Sequence, residues 1–344
     1  MKSLFKIGAD IEFLMLTPSF EIQNARDTLQ ENNEIGYDGH AETGELRPAP
    51  ADIPEELYEN IKTLLKKLNN KIDRKTIVKG GCYFNTPIGG HIHFSFTPEP
   101  QLVRMLDVFA ALPIMMIEPK SESELRKRAY GGLGDIRYKE WGFEYRTLHS
   151  FITNPFITKL SLILSYITAY QFMESSLNEL DYYDSLYYTI INTEKFFMSD
   201  KNYYRKFMNI IFNELKKFKL YKRYKQYILK LKGLINNKIT FNTFEDVLVN
   251  WGIRKRENLL LRNKNLNIKT YHPLSIWKGI QKNDGIYVTP YIKKLIDEQN
   301  KTSLLGYKFI IHNKPEHTMI IPKELLDNEE TLKIIREFIE QLKI

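Results

Sequence analysis

Residues 4–16 read LFKIGADIEFLML. Two carboxylates, Asp10 and Glu12, flank Ile11 in an otherwise apolar run. In an extended strand, residues i and i+2 share one face and i+1 takes the other. The stretch is therefore expected to be a strand with two acids on one side and an apolar side packed on helices. The same spacing recurs three times. Glu45 and Arg47 flank Leu46 in 35–50, IGYDGHAETGELRPAP. His91 and His93 flank Ile92 in 87–98, PIGGHIHFSFTP, and Glu144 and Arg146 flank Tyr145 in 142–148, GFEYRTL.

Any one such pair also fits the wet face of an ordinary antiparallel strand. All four together fit it poorly, because solvated strand faces carry Thr, Lys and Ser more often than Asp, Glu, His and Arg. Three pairs also sit beside glycine turns, at Gly8, Gly89–Gly90 and Gly142, where a ligand can approach the backbone. If the four strands share a sheet, Asp10, Glu12, Glu45 and Glu144 meet two imidazoles and two guanidiniums on one face. Clustered carboxylates repel one another and raise each other's pKa. Divalent cations relieve that repulsion, and an oxygen-rich donor set suits Mg²⁺ or Mn²⁺ shared with phosphate oxygens. The arginines would meet the same phosphates. The face thus points to a nucleotide bridged to the protein by metal ions.

Outward from these strands, Pro54 and the acids after it open a helix, PEELYENIKTLLKKLNNKI, with Leu57, Ile61, Leu64, Leu65 and Leu68 on one side. Residues 100–117 read as a helix that Pro113 should bend or end. A glycine-rich loop lies within 124–150, followed by the strand Gly142–Leu148. Residues 155–235 are helical in pattern. Leu160–Met173 is too short and too interrupted to cross a bilayer, so it reads as a buried helix. From about 240 the texture is mixed, with a strand pair near Lys308–His312 and Thr318–Ile321 and a final helix, Asn328–Leu342. The expected organisation is a catalytic domain over 1–240 (core 5–155, helical extension 155–240) and an α/β accessory region over 241–344.

The chain of 344 residues carries one cysteine, Cys82, which excludes a disulfide framework and a cysteine-based zinc site. Cys82 reads as packing, although a nucleophile beside His91 is the other reading. No P-loop and no HExxH occur. His149 has the parity of the apolar face and reads as structural. The net charge is +8, and residues 201–240 hold 12 Lys/Arg against one acid, Glu214. That block is either a solvated helical face or a dock for an anionic macromolecule. The N-terminus lacks the apolar run of a signal peptide, so no membrane insertion and a cytoplasmic location are expected.

The order IGADIEF, GYDGHAETGELRPAP, GGHIHFSF, LRKRAYGGLGDIRYKEWGFEYRTLHS resembles the phage-type amidoligases, the COOH–NH2 ligase type 2 group, similar in core to glutamate–cysteine ligase and glutamine synthetase. The resemblance covers about residues 5–155. It implies an α+β fold, an antiparallel sheet with flanking helices followed by a mainly helical C-terminal region. It also implies a ligase that uses ATP and Mg²⁺ or Mn²⁺ to join a carboxylate to an amine through an acyl phosphate, working in the host cytoplasm if phage-encoded. Carried over by position, Asp10, Glu12, Glu45, His93 and Glu144 become metal ligands. Arg128, Tyr130, Gly131, Arg137, Arg146 and His91 become nucleotide contacts, with Gly134 in the same loop. Arg146, Arg47, Arg128 and His93 take part in catalysis. Gly132-Leu133 departs from the polar-small pair expected in the loop. Rival readings are a metal-dependent hydrolase or phosphotransferase on the same face, and a non-enzymatic binder of an anionic polymer.

Overall fold

The computed structural model describes residues 4–255, apart from 18–20, 32, 38, 84–85, 242 and 244, and the backbone of three later strands. The chain divides into two compact units. One comprises Met1–Met15, Ile22–Arg74 and Val78–Ile253; the other comprises Leu16–Glu21, Lys75–Ile77 and Arg254–Ile344. In the second unit, Tyr287–Val288, Ile310–His312 and Thr318–Ile320 form a small antiparallel sheet. Its Ile310–His312 and Thr318–Ile320 pairing matches the strand pair read from the sequence. The expected helix Asn328–Leu342 lies outside the described residues.

Among the described residues the main sheet has nine strands: β1 (Ile7–Leu16), β2 (Ile22–Gln23), β3 (Gln30–Glu31), β4 (Ile35–Tyr37), β5 (Thr43–Leu46), β6 (Ile77–Lys79), β7 (Gly90–Phe94), β8 (Ile136–Lys139) and β9 (Gly142–Tyr145). Their order is β3-β4-β5-β1-β7-β9-β8, and β2 and β6 also pair with β1. The pairs from β4 through β8 are antiparallel, and β3–β4 is parallel. The four strands that carry the alternating pairs, β5-β1-β7-β9, are consecutive at its centre. On the other parity, Ile7, Ala9, Ile11, Phe13, Leu46, Ile92, Phe94, Phe143 and Tyr145 all join one buried core.

Helices cover that apolar side. α1 (Pro54–Lys71) begins at the expected proline and buries the five predicted aliphatic residues. The expected helix over 100–117 is interrupted rather than ended. α2 (Pro100–Leu106) passes into a π-turn, Asp107–Ala111, before α3 (Leu112–Met115). Pro113 cannot donate a backbone N–H and crowds the carbonyl four residues back. The wider turn before it accommodates both effects. α4 (Lys120–Ala129) leads to the glycine loop. α5 (Pro155–Glu174) is capped by Asn154 and packs on α1 and α2 as the buried apolar helix foreseen. α6 (Leu177–Ile190), α7 (Thr193–Phe197), α8 (Lys201–Arg205), α9 (Met208–Leu215), α10 (Tyr221–Asn236) and α11 (Val247–Asn250) complete the first unit. No helix of the described residues is long and apolar enough to cross a membrane.

Candidate active site

Antiparallel register places the acids side by side. Glu12 lies opposite Glu45, Asp10 opposite His91, His93 opposite Glu144, and Glu144 opposite Arg137. Two donor sets result, each with its ligand atoms within 4.8 Å of one another: Asp10, His93 and Glu144, and Glu12, Glu45 and His91. The second set is buried throughout, whereas Asp10 and His93 of the first are part-exposed.

The charges are compensated in different ways. His93 Nε2 lies 3.4 Å from Asp10 and 3.7 Å from Glu144. Glu144 is also held by Arg137 at 2.5 Å and Lys139 at 2.8 Å. Burial works to raise the Glu144 pKa, but the hydrogen bonds from Arg137 and Lys139 bring it below the usual carboxylate range. Burial likewise opposes the ionised form of Asp10, and the adjacent His93 and Arg47 outweigh it. Arg47 pairs with Glu45 and donates to the Asn33 carbonyl at 2.9 Å. Glu12 accepts hydrogen bonds from the Gly89 N–H and the Tyr130 hydroxyl.

His91 differs from the others. Both of its ring nitrogens are buried without a hydrogen-bond partner, and the nearby Glu12 carboxylate oxygen is 3.9 Å away. Burial, then the charges of Arg126 and Arg146, push its pKa well below the ordinary histidine value. A buried neutral imidazole beside two carboxylates carries a lone-pair nitrogen that accepts no hydrogen bond, which is what a cation ligand offers before the cation arrives. The residues therefore fit a divalent ion, and the imidazole in each set shifts the preference from Mg²⁺ towards Mn²⁺ and similar ions.

The glycine loop closes on the same face. Gly131 donates to Asp135 Oδ2 at 2.7 Å, and Thr147 donates to the Gly132 carbonyl at 2.8 Å. The Arg146 guanidinium lies 5.3 Å from the Tyr130 ring centroid and 3.6 Å from Asp135. Arg128, a sequence candidate, is exposed near the end of α4, whereas Arg126 and Lys127 turn inward, Arg126 against the Tyr130 ring. Sequence reasoning missed Arg126, as it missed Lys139 and Trp141, whose ring centroid is 5.0 Å from that of His93. Nothing in the sequence marks the first of these: Arg126 is buried with Ser123 and Lys127 by the rotation of α4. β8, which carries Arg137 and Lys139, is a four-residue edge strand, and the alternation in IRYK is too short to set it apart from the adjoining glycine loop in sequence.

Cys82 is buried, and burial pushes its thiol up to about 12, so the residue is not poised as a nucleophile. His149 lies 2.7 Å from Glu118 and stacks on Phe241.

Four strands deliver carboxylates and imidazoles to one face, bordered by arginines and a glycine loop, and that donor set is of a kind that could hold cations against an anion. The chain belongs to the family described as Phage phiEco32-like COOH.NH2 ligase-type 2, which it matches over residues 7–253. The match takes in all four motif strands and the helices through α11. No curated protein matches the chain. Among solved structures it is similar to a bifunctional glutathione synthetase from Pasteurella multocida, at 10% identity and a TM-score of 0.40. The similarity covers 68% of this chain and 46% of that one, less than half of its length, and is too slight to bear on function.

Proposed function

We propose that this sheet face activates a carboxylate with ATP and passes it to an amine. The γ-phosphoryl group moves to a carboxylate oxygen, giving an acyl phosphate and ADP. The amine nitrogen then attacks the acyl carbon, inorganic phosphate leaves with the C–O electron pair, and the nitrogen gives up a proton as the amide forms. The observation that carries this reading is the pair of three-residue donor sets on adjacent strands. Asp10, His93 and Glu144 would hold one Mg²⁺ or Mn²⁺ ion, and Glu12, Glu45 and His91 another. Bound there, such ions offset the charge that phosphate oxygens bring against a second anion, the substrate carboxylate.

The protein's own residues do the rest. Arg146 and Arg137 face the transferring group as guanidiniums, with Arg47 beside Glu45 and Arg128 at the rim. Tyr130 and Gly131 border the nucleotide side. Arg137 and Lys139 neutralise Glu144, so both are placed to exchange that carboxylate for phosphate oxygens. Glu12→Gln and Glu144→Gln keep side-chain shape and remove one charge from each set. Each is expected to lower amine-dependent ATP turnover on the order of 100-fold or more, measured as ADP release with the amide counted by mass spectrometry. Undiminished turnover in both variants would falsify the reading, and ADP release without amide would favour a phosphotransferase or hydrolase.

A further inference from the structure

Arg126 is 2% exposed. Nη1 donates to the Thr147 carbonyl at 2.9 Å and Nη2 to the Arg146 carbonyl at 2.5 Å. Its guanidinium carbon lies 4.5 Å from the Tyr130 ring centroid. The surrounding backbone is cut to fit it. A Cβ on Gly131 would fall 1.6 Å from Nη1, and one on Gly89 would fall 2.8 Å from Nη2. None of the ion pairs among the described residues includes Arg126. A guanidinium this deep, set on carbonyls and an aromatic face, is costly to bury. Three of its contacts lead to parts of the site: the ring whose hydroxyl holds Glu12, the backbone of Arg146, and the first glycine of the loop.

We propose that Arg126 is a positioning residue for the ligase reaction, holding Tyr130 so that its hydroxyl presents Glu12 to a cation and fixing the strand end that carries Arg146. Only a planar fork serves. One face lies on the Tyr130 ring while two N–H groups reach consecutive carbonyls. Lysine keeps the charge but is a point donor with no flat face. A group that orients a ligand through one hydrogen bond commonly alters metal affinity by about 10-fold to 100-fold when removed.

The proposal rests on Glu12 being a cation ligand, and the experiment separates the two ideas. Mn²⁺ binding to the full chain, without nucleotide, is titrated by the electron paramagnetic resonance signal of the free ion. Glu12→Gln is the control: if it binds Mn²⁺ like the wild type, the ligand reading fails whatever Arg126 does. With that control showing loss, Tyr130→Phe is expected to weaken binding about 10-fold. Arg126→Lys is expected to weaken it by a similar factor, and the double variant by no more than the larger single effect, since both act through one hydrogen bond. Multiplying single effects, or unchanged binding in Tyr130→Phe, overturns the proposal. A purely structural Arg126 would lower the melting temperature and multiply with Tyr130→Phe. If Arg126→Lys does not stay folded, Gly131→Ala takes its place in the cycle, because it displaces Nη1 and keeps the charge. Tyr130→Phe with unchanged Mn²⁺ binding is decisive in either case.

Discussion

The polar face of the sheet and the helical stretch from α8 to α10 both concentrate charge, in opposite ways. In residues 201–240, 12 Lys/Arg accompany a single acid, yet much of that charge is used locally. Lys217 pairs with Glu214 at 2.7 Å, Arg223 with Glu55 at 3.0 Å, and Lys219 with Glu174. Lys206 and Lys230 each lie 4.3 Å from an aromatic ring centroid, those of Tyr203 and Phe156. Exposed pairs of this kind contribute about 0–1 kcal/mol and need no further role to persist. The sheet holds fewer charges, but the carboxylates Glu12, Glu45 and Glu144 are buried. Buried charge costs several kcal/mol per group unless it is compensated. Charge density drew attention to the helices, whereas burial marks the sheet as the place where charge has a use.

The comparison breaks most sharply at His91. Replacing it with leucine removes two unpartnered buried nitrogens, so the fold should lose less than about 1 kcal/mol or gain slightly. Ligase turnover and Mn²⁺ binding should nevertheless fall on the order of 100-fold. Denaturant melts beside turnover assays test it. A large loss of stability with turnover retained would make His91 a core residue and nothing more. The next largest effect is structural. Gly131 has φ +78° and no room for a methyl group beside Arg126. Gly131→Ala should cost about 2–4 kcal/mol, from the left-handed backbone and the displaced guanidinium together, read as a fall in the urea midpoint.

Parity made the site legible and phase hid its supports. The i, i+2 pairs on β1, β5, β7 and β9 were readable because a strand has period two and each pair brackets one apolar residue. Arg126, Lys127 and Arg128 look alike in sequence, and only the rotation of α4 buries the first two and exposes the third. Asp107 is a lone acid in the run RMLDVFAALP, where the sequence points to a helix bent or ended at Pro113 and gives the acid no role. What fixed its role was the π-turn and the two groups that reach it from β9 and the glycine loop, which are far away along the chain.

Asp107 supplies an intermediate effect. It accepts from the Tyr145 hydroxyl at 2.7 Å and the Gly134 N–H at 3.2 Å, and Asp135 and Tyr187 are the other titratable groups near it. Burial pushes its carboxyl up to about 7. The folded chain then keeps a proton that the unfolded chain releases near pH 4. The stabilisation is fully present below the unfolded value and is lost as pH rises through about 7. Asp107→Asn should remove that decline. It is expected to match the wild type near pH 4 and to exceed it by up to a few kcal/mol at pH 8, checked by melts across that range. A wild-type stability that is flat over the same interval would contradict the assignment.

The smallest effect sharpens the contrast most. Lys216, Lys222 and Lys225 are exposed, and reversing all three to glutamate should change stability by no more than about 0.5 kcal/mol per site. Turnover of a small carboxylate with a small amine should stay within about 2-fold, since none of the three borders the sheet face. Binding to duplex DNA, used as a polyanion probe, should become less salt-dependent. Its log–log slope should be shallower by about 2–3 units, near one per lysine that had met a phosphate. An unchanged slope would mean that these cations only solvate the helices. A loss of small-substrate turnover would mean that the two regions communicate, and the division between a working face and a solvated one would have to be redrawn.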